Sequence, residues 1–197
     1  MRTIKVVEFV DINAPRAKVC DIIMNLERRL QLSPLWGAAI IENMSPDYPQ
    51  ADSSYHVRLA KGDQPEYDTV ITDYVPGHKF AYRLSVDRQT NVVWSFQDVS
   101  QGTRIIYEEE FLVDEAEGTE FSQSVRDVVK HWLSNIKRYA ELNDGRLHRL
   151  VKFFLDRFYL RLRNDQRRVV QTILFMQAVG FISFVMAAIA LGLAALI

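Results

Sequence analysis

The 29 residues from Val169 to Ile197 contain no charged side chain, and this run constrains the fold more than any other feature of the sequence. A helix rises about 1.5 Å per residue, so the stretch from Ile173 to Ile197 would extend roughly 37 Å, more than the ~30 Å hydrocarbon core of a bilayer. Because nothing follows this run, the sequence predicts a tail anchor that holds a preceding domain at a membrane. The alternative is a buried core helix, but so long an uncharged stretch is hard to bury in a soluble protein of this size.

Charge is unevenly distributed along the chain. Residues 1–145 hold 16 Lys and Arg against 23 Asp and Glu, whereas residues 146–197 hold 8 against 2. The acidic region carries nothing typical of nucleic-acid binding. The basic cluster lies directly before the apolar run, so the positive-inside rule predicts a single-pass membrane protein with a cytoplasmic N-terminal domain. The side chains expected to attract anionic lipid head groups are Arg149, Lys152, Arg157, Arg161, Arg163, Arg167 and Arg168.

These features divide the chain into three predicted parts. Residues 1–145 are long enough for one domain with one core, residues 146–168 form a basic juxtamembrane helix, and residues 169–197 form the anchor. The single cysteine, Cys20, excludes an intramolecular disulfide and a cysteine-based zinc site. The sequence has no Gly-rich phosphate loop, Ser elbow or paired metal-ligand motif, so no cofactor and no metal ion are predicted.

The first 142 residues have the pattern of a mostly antiparallel sheet with one long helix. A strand over residues 4–12 precedes a helix with Asn13 as its N-cap and Pro15 in its first turn. Alternating apolar and polar residues, separated by Gly and Pro turns, predict an antiparallel meander within residues 38–113. Over residues 120–142, apolar side chains recur at three- and four-residue steps, which indicates a long amphipathic helix.

Residues 147–162 carry apolar side chains on one helical face and basic side chains on the other. A basic amphipathic helix directly before a membrane span is predicted to lie in the membrane interface, with its apolar face among the acyl chains. The alternative is that this apolar face packs on the helix's own domain.

Three motifs carry a resemblance to a known family. They are Val10-Asp-Ile12-Asn-Ala14-Pro15 followed by Val19, then Tyr74-Val-Pro76-Gly77, and finally Trp94-Ser-Phe96 followed by Gly102-Thr103-Arg104-Ile105-Ile-Tyr107. Their order and spacing resemble the polyketide cyclase/dehydrase and lipid-transport family of the START-like (SRPBCC) superfamily over roughly residues 3–142. The resemblance implies an α+β helix-grip fold, in which a curved antiparallel sheet wraps around a long C-terminal helix. The superfamily includes carriers, cyclases and regulatory binding modules, so it does not by itself give the function.

A sheet that grips a single helix leaves space for a ligand between the two. The aromatic and aliphatic composition of the inward positions is typical of a pocket for an apolar molecule. The alternative is a core in which the same side chains meet the helix and fill that space. The predicted cavity residues are Tyr55, Val57, Phe80, Tyr82, Trp94, Phe96, Ile105, Tyr107, Trp132 and Ile136.

Glu109 is in phase with Ile105 and Tyr107, so its side chain could point into the cavity. A buried carboxylate is costly without a partner. We therefore favour a position at the solvated end of the strand, and the alternative is that Glu109 orients a polar group of the ligand.

Two functions are consistent with this sequence. The first is a membrane-tethered binding or transfer protein for a lipid, isoprenoid or quinone, whose partners are membrane lipid and a hydrophobic small molecule. The second is an accessory subunit of a larger membrane complex, in which the small residues of the span contact other transmembrane subunits. An enzyme of the cyclase or dehydrase type is less favoured, because only Tyr107, Glu109 and His78 offer polar chemistry to the cavity.

Overall fold

The computed structural model describes residues 2–36, 39–59, 66–85, 89–113, 118–142, 146–162 and 164–194. It confirms the predicted α+β helix-grip fold, with a curved antiparallel sheet and a long helix after the last strand. The elements are β1 (Arg2–Ile12), α1 (Arg16–Met24), α2 (Leu26–Gln31), β2 (Ala39–Glu42), β3 (Ser54–Leu59), β4 (Tyr67–Val75), β5 (Lys79–Ser85), β6 (Gln89–Val99), β7 (Gly102–Val113), α3 (Gly118–Ala140), α4 (Arg146–Arg157), a 3-10 helix (Tyr159–Arg161) and α5 (Asn164–Ala194).

Within the described chain, one seven-stranded sheet has the order β1-β7-β6-β5-β4-β3-β2. Helices α1 and α2 carry the chain from β1 to the opposite edge, and five hairpins then return it to β1. The last strand pairs with the first over its whole length, from Arg2 opposite Val113 to Ile12 opposite Thr103. Because α3 follows β7, it passes back across the same side of the sheet and packs against β1.

The sheet and α3 bury one face each. Along β7, Thr103, Ile105 and Tyr107 are buried, while the outward-facing Arg104 and Glu108 are partly exposed, as expected for a strand with one face in the core. The apolar face of α3 supplies Val129, Trp132, Leu133 and Ile136, which recur at helical spacing.

The turn before β7 requires the residues of the Gly102-Thr103 motif. Gly102 has a φ of 131°, and a Cβ at this position would lie 2.1 Å from the carbonyl oxygen of Ile12, so only glycine fits. The next residue, Thr103, donates a hydrogen bond from Oγ1 to the carbonyl oxygen of Ala14 at 2.9 Å. Together these contacts fix the end of β1 and the start of α1 against the last hairpin.

The predicted N-cap of the first helix is wrong. Helix α1 has Pro15 at its N-cap position, with no side-chain cap, so Asn13 lies outside the helix. The backbone N–H of Asn13 instead donates to Oε1 of Glu141 at 2.9 Å, beyond the last turn of α3. Asn13 therefore makes a long-range contact through its backbone rather than a local cap.

The chain forms two compact units, Met1–Arg161 and Leu162–Ile197. The first contains the sheet, α1 to α4 and the 3-10 helix. The second contains α5, which is long and apolar enough to cross a membrane over the 19 residues Val169–Ala187.

Helix α4 packs on the sheet unit through part of its surface. Leu155 lies against the main core, as does Tyr159 of the following 3-10 helix, and Asp156 accepts hydrogen bonds from Arg28 and from the hydroxyl of Tyr139, the latter at 3.0 Å. Burial raises the pKa of Tyr139 to about 12, so its hydroxyl keeps the proton that it donates. Packing on the domain, the alternative considered for this helix, therefore holds for one of its faces.

Candidate ligand-binding cavity

A cavity of about 910 Å³ lies between the sheet and the first half of α3. Its wall combines the ends of strands β4 to β7 with α3 and the segment that follows α2. Eleven of the seventeen lining residues are apolar or aromatic, and the other six are serine, threonine or glutamate. The lining residues are Ser33, Leu35, Trp36, Glu66, Tyr67, Leu84, Ser85, Thr90, Tyr107, Glu109, Phe111, Phe121, Ser124, Val125, Val128, Val129 and Trp132.

Aromatic rings form the boundary between this cavity and the packed core. The ring of Trp132 meets that of Trp94 edge to face, with centroids 5.2 Å apart, and Tyr107 lies 4.8 Å from Trp94. The indole N–H of Trp132 donates to the carbonyl oxygen of Arg29 at 3.0 Å, which ties α3 to α2. Rings held by several such contacts have little freedom to move, so this side of the cavity is preformed.

Among the described residues that line the cavity, Glu109 is the only carboxylate with a hydrogen bond to another lining residue. The hydroxyl of Tyr107 donates to Oε2 of Glu109 at 2.8 Å. Burial raises the pKa of Glu109 above its usual value, and the bond from Tyr107 offsets only part of that effect. Burial also raises the pKa of Tyr107, so its hydroxyl remains protonated.

The favoured prediction for Glu109, a solvated strand end, is wrong. Glu109 lines the cavity beside Tyr107, while Glu110 on the other face of the strand is exposed. The alternation of β7 had placed Glu109 in phase with its buried neighbours. The cost of burial argued against that position, and the hydrogen bond from Tyr107 offsets only part of this cost.

Most of the predicted cavity residues lie in the core rather than in this wall. Of the ten, Tyr107 and Trp132 line the cavity. The other eight are buried in the main core cluster and are at most 4% exposed: Tyr55, Val57, Phe80, Tyr82, Trp94, Phe96, Ile105 and Ile136. Both alternatives are therefore realised in one molecule, with a filled core beneath one part of the sheet and an open space beneath another.

Arg29 fills the space that the sequence assigned to a ligand. Its side chain is 1% exposed, and the guanidinium stacks over the rings of Phe80 and Tyr82 at 4.8 and 5.1 Å. It donates to the hydroxyl of Tyr55 at 2.8 Å and to the carbonyl oxygen of Ile23 at 3.2 Å. Sequence analysis missed this residue, although Arg29 shares the buried face of α2 with Leu26 and Leu30.

The predicted lipid-facing cations are not equivalent in the structure. Arg149 and Arg157 are exposed on α4, but Lys152 is half-buried with its ammonium 5.4 Å from the ring centre of Tyr139. Arg167 donates from Nε to the carbonyl oxygen of Leu162 at 2.8 Å. The side chains of Arg161, Arg163 and Arg168 lie outside the described residues.

A second face of α4 is apolar and exposed to solvent. Leu150 and Phe153 are 66 and 63% exposed, and Phe154 lies beside Phe158, the residue after the helix, with ring centroids 5.7 Å apart. No residue of the candidate span in α5 is buried. Among the described residues, no group of three His, Cys, Asp or Glu side chains could hold a metal ion.

Comparisons with known proteins agree with this architecture. The sequence model of the family described as polyketide cyclase / dehydrase and lipid transport matches residues 3–141. Protein CV1439 from Chromobacterium violaceum is 14% identical, with a TM-score of 0.54 over 73% of this chain and 100% of that one. Ara h 8.0201 is 16% identical, with a TM-score of 0.56 over 72% of this chain and 100% of that one.

The Aha1 dimer from Colwellia psychrerythraea is 12% identical, with a TM-score of 0.55 over 72% of this chain and 99% of that one. At such identities the structural likeness shows the fold alone. No curated protein matches the sequence significantly.

Proposed function

Because this chain belongs to the polyketide cyclase/dehydrase and lipid transport family, we propose that it binds an apolar small molecule in the cavity between the sheet and α3. The observation that carries the proposal is the cavity itself. Its volume of about 910 Å³ lies near the upper end of the roughly 300–1,000 Å³ usual for ligand pockets. Its largely apolar and aromatic wall suits a lipid, an isoprenoid or a quinone.

We further propose that the protein takes this ligand at a membrane surface. Two features support tethering: the apolar run of α5 over Val169–Ala187 and the exposed apolar face of α4. A single amphipathic helix binds lipid reversibly, whereas a spanning helix holds the protein permanently. An apolar ligand dissolves in the bilayer, so a tether raises its concentration near the cavity.

The test is to identify what the cavity holds after purification. The full chain is released from membranes in mild detergent and analysed by native mass spectrometry. Wild type is compared with Val128→Phe, which adds a ring to the cavity wall, and with Val70→Phe, which adds the same ring at an exposed position on β4. We expect a co-purifying apolar molecule in wild type and Val70→Phe and its loss from Val128→Phe.

A ligand that persists in Val128→Phe would mean that it lies elsewhere on the protein. Absence of any bound lipid, isoprenoid or quinone from wild type, combined with no uptake of added ones, would refute the proposed function. The accessory-subunit hypothesis stays a prediction, and the same spectra test it, because a stable complex would appear at a higher mass than the lone chain.

A further inference from the structure

We propose that the cavity selects apolar ligands whose polar end donates a hydrogen bond, as an alcohol or an ammonium does, and that Tyr107 and Glu109 together receive this donor. This inference rests on the proposed function and adds the class of head group that the site accepts.

The first argument is the direction of the hydrogen bond between the two residues. Tyr107 has a single hydroxyl hydrogen, and it is given to Oε2 of Glu109 at 2.8 Å. The pair then offers only acceptors to the cavity: the lone pairs of the Tyr107 oxygen and those of the Glu109 carboxylate. A ligand group that donates completes this pair, whereas a group that only accepts finds no hydrogen there.

The second argument is what Glu109 lacks. Its side chain is partly buried, and its only hydrogen bond to another described residue comes from Tyr107. No ion pair between Glu109 and a described Lys, Arg or His is present in the structure. A buried carboxylate with one neutral donor is poorly compensated for the loss of water, and burial accordingly raises its pKa. A donor carried by the ligand supplies the missing partner, most strongly when the donor is charged.

The third argument is the charge of the wall. The charged residues that line the described cavity are Glu66 and Glu109, and both are acidic. The buried Arg29 does not line this wall, and its guanidinium contacts Tyr55, Phe80 and Tyr82. A carboxylate or phosphate head group would therefore enter without a counter-charge from the described wall and beside a like charge.

The experiment compares three ligands with the same twelve-carbon chain: dodecan-1-ol, dodecylammonium and dodecanoate. The full chain is held in nanodiscs of neutral phosphatidylcholine, and binding is followed by tryptophan emission and by calorimetry. Empty nanodiscs report the partitioning of each ligand into lipid. The variants are Glu109→Gln, which keeps the shape of the side chain, and Glu110→Gln, which removes the same charge from the outer face of β7.

We expect wild type to bind the alcohol and the ammonium more tightly than dodecanoate. Glu109→Gln should weaken dodecylammonium about tenfold or more, the loss typical of a hydrogen bond to a charged group, and should strengthen dodecanoate. Glu110→Gln should leave all three affinities within about twofold of wild type, because its side chain points to solvent.

Equal or tighter binding of dodecanoate in wild type would overturn the head-group proposal and leave the proposed function standing. An unchanged ranking of the three ligands in Glu109→Gln would overturn it as well. Failure of all three ligands to bind would overturn this inference, and the proposed function is refuted with it if added isoprenoid and quinone also fail to bind. If Glu109→Gln does not fold, the ranking measured in wild type alone decides the question.

Discussion

Trp132 connects the packed core to the cavity, so its truncation tests both. The side chain is 7% exposed, contacts Trp94 and Tyr107, and lines the cavity with one edge. Trp132→Ala should lower the free energy of unfolding and should also remove one wall of the site. A residue that lay wholly in the core or wholly in the cavity wall would affect only one of these properties.

The size of the loss follows from these contacts. Truncation of a buried aromatic residue to alanine costs about 3–5 kcal/mol. The edge of Trp132 that faces the cavity already lacks packing partners, which favours the lower end, about 3 kcal/mol. The carbonyl oxygen of Arg29 also loses the indole N–H that it accepts at 3.0 Å, which adds about 1 kcal/mol. We expect a total of about 4 kcal/mol.

The assay is urea unfolding followed by far-ultraviolet circular dichroism, since this signal does not depend on the tryptophan that is removed. His131→Ala is the matched control, because His131 is the adjacent exposed residue of the same helix and should change stability by less than about 0.5 kcal/mol. A loss below about 1 kcal/mol for Trp132→Ala would refute the burial of this ring. A loss of stability with full retention of ligand affinity would refute its place in the cavity wall.

Three further results are expected. Burial raises the pKa of Glu109 above its ordinary 4.5, so the stability that Glu109 contributes is present below pH 4.5 and is lost as the pH rises through the folded-state pKa. Glu109→Gln should therefore raise Tm at about pH 8 and not at about pH 4, and an equal shift at both pH values would contradict this sign. Asp156→Asn should weaken the contacts with Arg28 and Tyr139 by about 1 kcal/mol and increase hydrogen exchange in α4, whereas unchanged exchange would mean that apolar packing alone holds the helix. Deletion of residues 169–197 should release the protein from membranes in flotation assays with Tm nearly unchanged, and failure of the truncated chain to fold would show that the span belongs to the core.

The strands could be predicted from the sequence because each has one face in the core and one in water. In β7, the alternation of Ile105 and Tyr107 with Arg104 and Glu108 identified both the strand and its inner face. The long helix was equally clear, because its apolar residues recur at helical spacing over several turns. Periodicity of this kind reports which side of an element avoids water. The strand predicted over residues 4–12 and the helix predicted over residues 120–142 begin and end within two residues of β1 and α3.

Two charged side chains, Arg29 and Glu109, were not predicted in their observed positions. Arg29 is buried by aromatic rings from β3 and β5, and nothing local to α2 indicates that such rings will cover it. Glu109 was predicted at a solvated strand end because a lone buried carboxylate is costly. The partners of Arg29 lie on other strands, so only the folded chain determines their positions. The donor to Glu109 is Tyr107, two residues earlier on the same strand face, and here a rule based on burial cost alone excluded the correct answer.

The same limit explains why the cavity occupies only part of the predicted space. Alternation identifies the inner face of the sheet, but it does not show what covers each part of that face. Beneath β3 and β5, the side chain of Arg29 on α2 fills the space against Tyr55 and Phe80. Toward the other end of β7, a space remains open beside Glu109, and Val125 and Val128 of α3 line it. The side chains that the covering helices place against the sheet therefore decide where a ligand can bind, and enlarging Val128 should convert part of the open space into filled core.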